Sequence, residues 1–325
     1  MHTSEYIIAR KSQLKFYTSV ELYRKTAENK FALYKRSGIR LKDMRIDQGM
    51  HPKELFIKQS DKLRGLQEAQ KGFNRELENN AKSGDHVKVK ETLLTIMEET
   101  FTEPRSGSLE GISGTVNILV SDYSKESDVV RNLIDLSRRD YATTLHSINV
   151  MAFALGFAFN MGYSQAESRV LGLSALLHDV GKTKIDQDIL TIPRKLTIEE
   201  FEEMKTHTTI GYNILKECKF SERDIALVAL QHHEKLDGSG YPNNTTKISR
   251  TAQIIAIIDC YEALTNDDRP YRRRMGALDT LTEIVGKEVK AGKFNKEIYC
   301  EFVKSLAGPS KAEFSGEYAI SQPYM

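Results

Sequence analysis

The sequence predicts an all-α C-terminal domain preceded by a small α/β module. Apolar residues recur at helical spacing from Asp128 to about Leu306, without strand-like alternation of useful length. Short β-rich stretches with turn glycines mark the part from residue 11 to about 60. At 325 residues the chain is also longer than most single domains. We therefore expect an N-terminal α/β module with connecting helices over 1–125, the helical domain over 126–310 and a flexible tail over 311–325.

The elements of the N-terminal module follow from short local patterns. Leu14 to Tyr17 and Phe31 to Tyr34 are rich in residues that favour strands, and Gly38 and Gly49 indicate turns. From about Asp61 to Glu99 the apolar residues return at helical spacing, which predicts connecting helices.

Three capping boxes predict where helices of the second domain begin. In such a box, a hydroxyl accepts a hydrogen bond from a free backbone N–H while a carboxylate three residues later reaches back. The three pairs are Ser164 with Glu167, Thr197 with Glu200, and Ser221 with Asp224.

The composition is that of an ordinary soluble protein and excludes a disordered or fibrous chain. The net charge is +2, with 28% charged and 40% hydrophobic residues. Residues 1–45 hold eleven Lys and Arg against four Asp and Glu, which suits a solvated surface or contact with lipid, nucleic acid or protein.

No apolar run reaches the roughly 18 residues that span a bilayer, and no signal peptide is recognisable. We expect a cytoplasmic protein without a transmembrane segment. Its three cysteines are irregularly spaced and predict reduced thiols.

Histidines are the residues that point to chemistry. Eight occur in the chain, and the five in the predicted helical domain lie on predicted helices or at their ends: His146, His178, His207, His232 and His233. The pair His178 and Asp179 closes an apolar helix, and the next glycine, Gly181, is predicted to end it. Asp259 lies within an otherwise apolar helix.

Each of these residues, taken alone, is compatible with a purely structural role. A buried imidazole or carboxylate can be satisfied by one hydrogen bond, but it is costly without a partner. Five histidines and two aspartates beside buried stretches are hard to explain independently. Neutral imidazole and carboxylate together suit iron, manganese, nickel or zinc, so the sequence predicts a metal site.

The order of these residues resembles that of the HD-GYP subgroup of the HD phosphohydrolase superfamily. The resemblance covers about residues 128–306. It is carried by His146-Ser, His178-Asp-Val-Gly-Lys, His207 in its helix, HHEKLDGSGYP over 232–242, Asp259, and Arg269-Pro-Tyr-Arg. It implies an enzyme, a phosphodiesterase that hydrolyses cyclic di-GMP to linear pGpG, to GMP, or to both.

The resemblance also implies two divalent metal ions, iron or manganese first and nickel or zinc as alternatives. Their implied ligands are His146, His178, Asp179 and Asp259 for one ion, and His207, His232, His233 and the shared Asp179 for the other. Asp179 and Lys182 are the implied catalytic residues, with Lys182 on a phosphate oxygen. Ala142 stands where a trinuclear subset of the family has a glutamate, which favours two metals over three.

Substrate contacts are implied for Lys182 and for two loops. The first loop holds Gly238, Gly240 and Tyr241, and it suits contact with substrate or with a signalling protein. The second holds Arg269, Tyr271 and Arg272, near phosphates or bases. It departs from the family pattern, because the stretch before Arg269 is one residue longer and shifts the register of these residues.

Two other functions stay open at this stage. One is a non-catalytic receptor for a cyclic dinucleotide or a protein partner, and the other is a hydrolase of a different cyclic dinucleotide. A nucleic acid polymer is not an expected partner. Apolar residues over 126–140 suit a homodimer contact and internal packing equally well.

Overall fold

A small antiparallel sheet precedes a long run of helices. The computed structural model describes residues 5–41, 51–102, 104, 107–123, 143–192, 194–218, 220, 222–265 and 276–307. The strands are β1 (Tyr6–Ile8), β2 (Leu22–Lys25), β3 (Phe31–Lys35) and β4 (Phe56–Lys58). The helices are α1 (Lys11–Leu14), α2 (Lys62–Lys82), α3 (His86–Phe101), α4 (Ile112–Tyr123), α5 (Thr143–Asn160), α6 (Gln165–Leu177), α7 (Gln187–Thr191), α8 (Ile198–Lys216), α9 (Asp224–Gln231), α10 (Arg250–Thr265), α11 (Ala277–Asp279), α12 (Gly286–Lys290) and α13 (Lys296–Ala307).

The sheet has the strand order β1-β4-β2-β3, and all neighbouring strands are antiparallel. The predicted strand at Phe31 to Tyr34 is confirmed as part of β3. The predicted strand at Leu14 to Tyr17 is wrong, because Lys11–Leu14 forms a helical turn. Leu14 and Tyr17, three positions apart, are both buried in the small core of the module, and the Tyr17 hydroxyl donates to Gln13 Oε1 over 2.5 Å. A short apolar run does not by itself distinguish a strand from a turn of helix.

Buried polar contacts fix the sheet module against the helices that follow it. Glu99, in α3, is buried and accepts hydrogen bonds from Arg10 Nη1 at 2.7 Å, from Ser12 Oγ and from Gln13 Nε2 at 2.5 Å. Removing this acceptor would leave the buried Gln13 amide without its partner, which is costly. The module is therefore held at one position on α3.

The main hydrophobic core unites α2, α3 and α4 with the later helices. Its buried residues run from Ala69 to Phe302 in one contiguous cluster. The predicted boundary near residue 125 falls in 124–142, outside the described residues, and the tail over 311–325 lies outside them as well, so both stay predictions. Within the described ranges, no helix combines the length and the apolar character needed to cross a membrane.

Capping chemistry decides where two of the helices begin. The boxes at Ser164 with Glu167 and at Thr197 with Glu200 are confirmed at the starts of α6 and α8. The third box is wrong as a helix start. The helix α9 begins at Asp224, with Arg223 at the N-cap position and without a side-chain cap, while Ser221 lies outside the described residues.

Gly181 has a packing role rather than the predicted helix-ending role. The helix α6 already ends at Leu177, and Gly181 lies inside a 3₁₀ turn over Val180–Lys184. A Cβ on Gly181 would overlap the His207 carbonyl oxygen. Only glycine permits this approach, which brings the turn after His178 directly against α8.

We predict that Gly181→Ala lowers the free energy of unfolding by about 1–3 kcal/mol, because the added methyl group overpacks the contact with α8. Displacement of the His207 backbone should also weaken metal binding. Chemical denaturation and metal titration would measure the two effects. The control is Gly162→Ala, at a φ of +69° where an added Cβ meets nothing within 4 Å. This control should cost stability through backbone strain alone; equal metal affinity in both variants would contradict the prediction.

Candidate metal centre

The first group of predicted ligands meets where α5, the end of α6 and α10 converge. His146 Nε2 lies 3.0 Å from Asp259 Oδ1 and 3.7 Å from Asp179 Oδ2. His178 Nε2 lies 3.3 Å from Asp179 Oδ2 and 4.0 Å from Asp259 Oδ1. His146, His178 and Asp179 are buried, and the Asp259 side chain is 13% exposed. The four side chains therefore enclose one small polar volume.

The second group lies on the other side of Asp179. Asp179 Oδ1 is 3.3 Å from His207 Nε2 and 3.7 Å from His232 Nε2. His233 is half-buried, and its ring centroid lies 5.2 Å from that of His207. Asp179, His207, His232 and His233 offer ligand atoms that all lie within 4.8 Å of one another. The two oxygens of Asp179 thus face different groups of imidazoles.

Backbone carbonyl groups set the orientation of three imidazoles. His178 Nδ1 lies 2.6 Å from the Ala175 oxygen, and His207 Nδ1 lies 2.6 Å from the Met204 oxygen. His232 Nδ1 lies within 3.1 Å of two carbonyl oxygens of α9. A carbonyl only accepts, so each Nδ1 carries a proton, and in the neutral imidazole that a metal requires Nε2 presents the lone pair. In all three residues Nε2 is the atom that points toward Asp179, as a metal ligand would.

Glu262 orients the fourth imidazole, and the sequence reasoning missed it. Its Oε2 lies 2.5 Å from His146 Nδ1, and its Oε1 accepts from Asn149 Nδ2 at 2.8 Å. Glu262 is buried, one helical turn after Asp259 on the same helix. That spacing places both carboxylates on one face of α10, which is the signal that could have identified it.

The residues fit divalent metal ions. His178 Nε2 and Asp179 Oδ1 are buried and make no hydrogen bond. Buried polar atoms without partners are uncommon in proteins, and a bound ion can supply the missing partner. Burial lowers the pKa of His232 to about 4, so this imidazole is neutral near pH 7 and able to bind a metal.

The carboxylates are held in their charged form. Burial alone would raise the pKa of Asp179, but the Lys182 ammonium and the His178 and His207 imidazoles more than offset it and hold the pKa well below its usual value. Burial likewise opposes ionisation of Asp259, and His146, His178 and His233 lower its pKa. Two charged carboxylates among imidazoles give a donor set that suits iron, manganese, nickel or zinc.

Lys182 lies at the edge of the centre. Its Nζ is 2.5 Å from Asp179 Oδ2, and its side chain is 19% exposed. The ammonium is therefore next to the buried carboxylate and still reachable from outside. Such a position suits contact with an anionic group that enters the site.

The loop after His233 is held over the second group of imidazoles. Glu234 is buried and accepts from the backbone N–H groups of Asn243 at 2.7 Å and Thr245 at 3.1 Å. A Cβ on Gly240 would lie 2.5 Å from the His233 carbonyl oxygen, and Gly238 has a φ of +78°. Close backbone approach and an unusual backbone angle account for these two glycines. Glu234 is a second residue that the sequence reasoning missed.

Tyr241 connects this loop to the centre. Its ring lies 4.7 Å from that of His233 with a tilt of 31°. Burial raises the pKa of Tyr241, and the Asp179 and Asp259 carboxylates raise it further. The hydroxyl consequently stays protonated and can donate a hydrogen bond.

Three of the predicted substrate contacts lie outside the described residues. They are Arg269, Tyr271 and Arg272, and Ala142 lies outside the described residues as well. The roles assigned to them from the sequence stay predictions.

A family model described as HD domain matches residues 127–293, about half of the chain. Among curated relatives, the cyclic di-GMP phosphodiesterase PA4108 of Pseudomonas aeruginosa is 31% identical over 196 residues, which are 60% of this chain and 46% of the relative. The 3'3'-cGAMP-specific phosphodiesterase 1 of Vibrio cholerae is 29% identical over 236 residues, 72% of this chain and 53% of the relative. The chain thus spans about half the length of these relatives.

A solved structure supports the same fold. Bd1817, an HDG"Y"P protein from Bdellovibrio bacteriovorus, superposes with a TM-score of 0.60 at 16% identity, covering 93% of this chain and 100% of that one. The predicted fold class, a helical domain after a small α/β module, is confirmed. The resemblance to the HD-GYP group is confirmed as well, and the chain belongs to the HD-domain family.

Proposed function

We propose that this chain is a phosphodiesterase that hydrolyses cyclic di-GMP at a centre of two divalent metal ions, yielding linear pGpG, GMP or both. The observation that carries the proposal is the position of Asp179, whose two oxygens face separate groups of imidazole Nε2 atoms. A relative at 31% identity is named a cyclic di-GMP phosphodiesterase, which supports the substrate.

The residues would divide between two ions. His146, His178, Asp179 and Asp259 would hold one, and His207, His232, His233 and Asp179 the other. When bound, such ions supply a nucleophile from water near neutral pH and polarise phosphoryl oxygens. Iron or manganese is the first expectation and nickel or zinc the alternative, because all four accept nitrogen and oxygen ligands.

The other residues of the site position and neutralise the phosphodiester. Lys182 brings a positive charge to the edge of the centre, where it stabilises charge that grows on a phosphoryl oxygen. Tyr241 keeps its proton and can donate to another anionic oxygen. Gly238 and Gly240 let the loop fold closely on its own backbone, which holds Tyr241 beside the His233 ring, and their contact with the substrate stays a prediction.

One observation favours a second substrate. A relative that covers 72% of this chain is named a 3'3'-cGAMP-specific phosphodiesterase, so hydrolysis of a different cyclic dinucleotide is the alternative function. The non-catalytic receptor is less well supported, since the other six side chains that a binuclear site would use lie around Asp179. Contact of the Gly238–Tyr241 loop with a signalling protein, a homodimer and a cytoplasmic location stay predictions.

We predict that Asp179→Asn abolishes metal-dependent turnover of cyclic di-GMP, with a loss of more than about 1,000-fold. The amide lacks the negative charge that the carboxylate presents to both groups of imidazoles. Turnover by anaerobically purified protein loaded with iron or manganese would be followed by chromatography of the products. The matched control is Asp188→Asn, an exposed acid of α7 outside the site, which should behave like the unmodified protein.

The same experiment separates the candidate functions. Metal occupancy and cyclic di-GMP binding without turnover of any cyclic dinucleotide would contradict the enzyme and favour the receptor. Turnover of 3'3'-cGAMP in place of cyclic di-GMP would establish the alternative substrate.

We also predict that Glu262→Gln weakens metal binding about 10–100-fold, the usual effect of removing an outer partner of a metal-bound histidine. The amide can still accept from His146, but it no longer raises the basicity of the imidazole. Competition titration with a metal chelator would measure the affinity. Glu301→Gln, at a surface ion pair with Arg250, is the control, and equal affinities in the two variants would show that Glu262 does not support the metal.

A further inference from the structure

A chain of aromatic rings leads from the buried centre to the surface. The His207 and His233 centroids are 5.2 Å apart, those of His233 and Tyr241 4.7 Å, and those of Tyr241 and Phe201 6.2 Å. The last pair meets edge to face at 79°. This row of four rings begins at the candidate metal centre and ends at Phe201. Phe201 belongs to α8, and the sequence reasoning did not single it out.

Phe201 is unusually exposed for an aromatic residue. It is 44% exposed, although it shares α8 with the buried His207. Six residues separate the two, which is about 9 Å along a helix axis. That length is comparable to the distance from a phosphate through its ribose to the attached base. Tyr241 contacts both His233 and Phe201, so it connects this open ring to the place where the phosphodiester would be held.

Lys205 places a positive charge beside the same rings. Its Nζ is 4.9 Å from the Phe201 centroid and 5.7 Å from the Tyr241 centroid. It also pairs with Glu202 at 2.6 Å, but the Glu202 side chain is 61% exposed and such pairs are weak. An ammonium has three donors on a flexible stem, so Lys205 can keep this pair and still reach the edge of a stacked base.

We infer that Phe201 and Lys205 recognise a guanine base of the substrate, the ring by stacking and the ammonium by donating to the base edge. Stacking on an aromatic ring accepts any base, since every base has a π face. The ammonium discriminates, because guanine presents two acceptors, O6 and N7, where adenine presents one acceptor and an amino donor. Phe201 thus sets affinity for purines, and Lys205 sets the preference for guanine. The inference rests on the proposed function and names the residues that select its substrate.

The test compares three substrates: cyclic di-GMP, cyclic di-AMP and bis(p-nitrophenyl) phosphate, which is a phosphodiester without a base. Turnover of the third reports the state of the metal centre, so it serves as the reference for every variant. Phe201→Leu should raise the KM for cyclic di-GMP roughly tenfold, with a much smaller change in kcat, because the ring is remote from the reacting atoms. Phe201→Tyr keeps a stacking ring and should stay close to the parent protein.

Variants of Lys205 test the selectivity. Lys205→Met should reduce the ratio of kcat/KM for cyclic di-GMP over cyclic di-AMP roughly tenfold, because methionine cannot donate to O6 and N7. Lys205→Arg should retain the preference, since a guanidinium donates to the same two acceptors. Ile198→Ala is the control for α8, as Ile198 is 79% exposed and lies a turn before Phe201. It should leave all three substrates within about twofold of the parent.

The outcomes separate this inference from the proposed function. If the parent protein hydrolyses cyclic di-GMP while Phe201→Leu and Lys205→Met keep its KM and its guanine preference, the inference is wrong and the proposed function stands. If the parent protein cleaves bis(p-nitrophenyl) phosphate but no cyclic dinucleotide, the proposed substrate is wrong, and the inference that depends on it is wrong too.

Discussion

The buried carboxylate of Asp179 is the constraint on which the rest of the centre depends. A charged carboxylate at 1% exposure is strongly unfavourable unless cations or donors surround it. Here five helices bring their polar side chains to that one group, and the tight contact of Gly181 with α8 sets the distance between two of them. The surrounding core is apolar and closely packed, so it excludes water and strengthens every electrostatic interaction inside.

Backbone carbonyl groups orient three of the imidazoles, so few additional side chains are needed for this purpose. His178, His207 and His232 each direct Nδ1 to a backbone carbonyl three or four positions earlier in their own helical segment. Side chains in helices point back toward the preceding turn, so these carbonyls lie within reach. His146 is the exception and depends on a side chain, Glu262, which makes its orientation sensitive to a single substitution.

Sequence reasoning could single out the candidate ligands because a polar residue beside or within an apolar helix is a local signal, as at Asp259 and His178. It missed Glu262, because the spacing from Asp259 indicates a shared helix face but not the His146 ring across the fold, and it missed Phe201, because an aromatic residue on a helix is ordinary until its partner is known. It also misassigned Gly181 and Leu14 to Tyr17. Close approach between two segments of the chain accounts for the first error, and burial on one side of a short helical turn accounts for the second. Both depend on tertiary contacts that a local pattern does not contain.

Substitutions of the buried candidate ligands and of the exposed residues near them differ in their effect on stability. A candidate ligand such as His178 is fully buried, and removing it leaves neighbouring charges uncompensated, which typically costs several kcal/mol. A rim residue such as Phe201 or Lys205 contacts mainly exposed groups, and substitutions at positions of this kind usually change stability by less than about 0.5 kcal/mol. Substitutions that select a different base could therefore occur at Phe201 and Lys205 while the buried candidate ligands stay in place, because the Tyr241 ring lies between these two residues and His233.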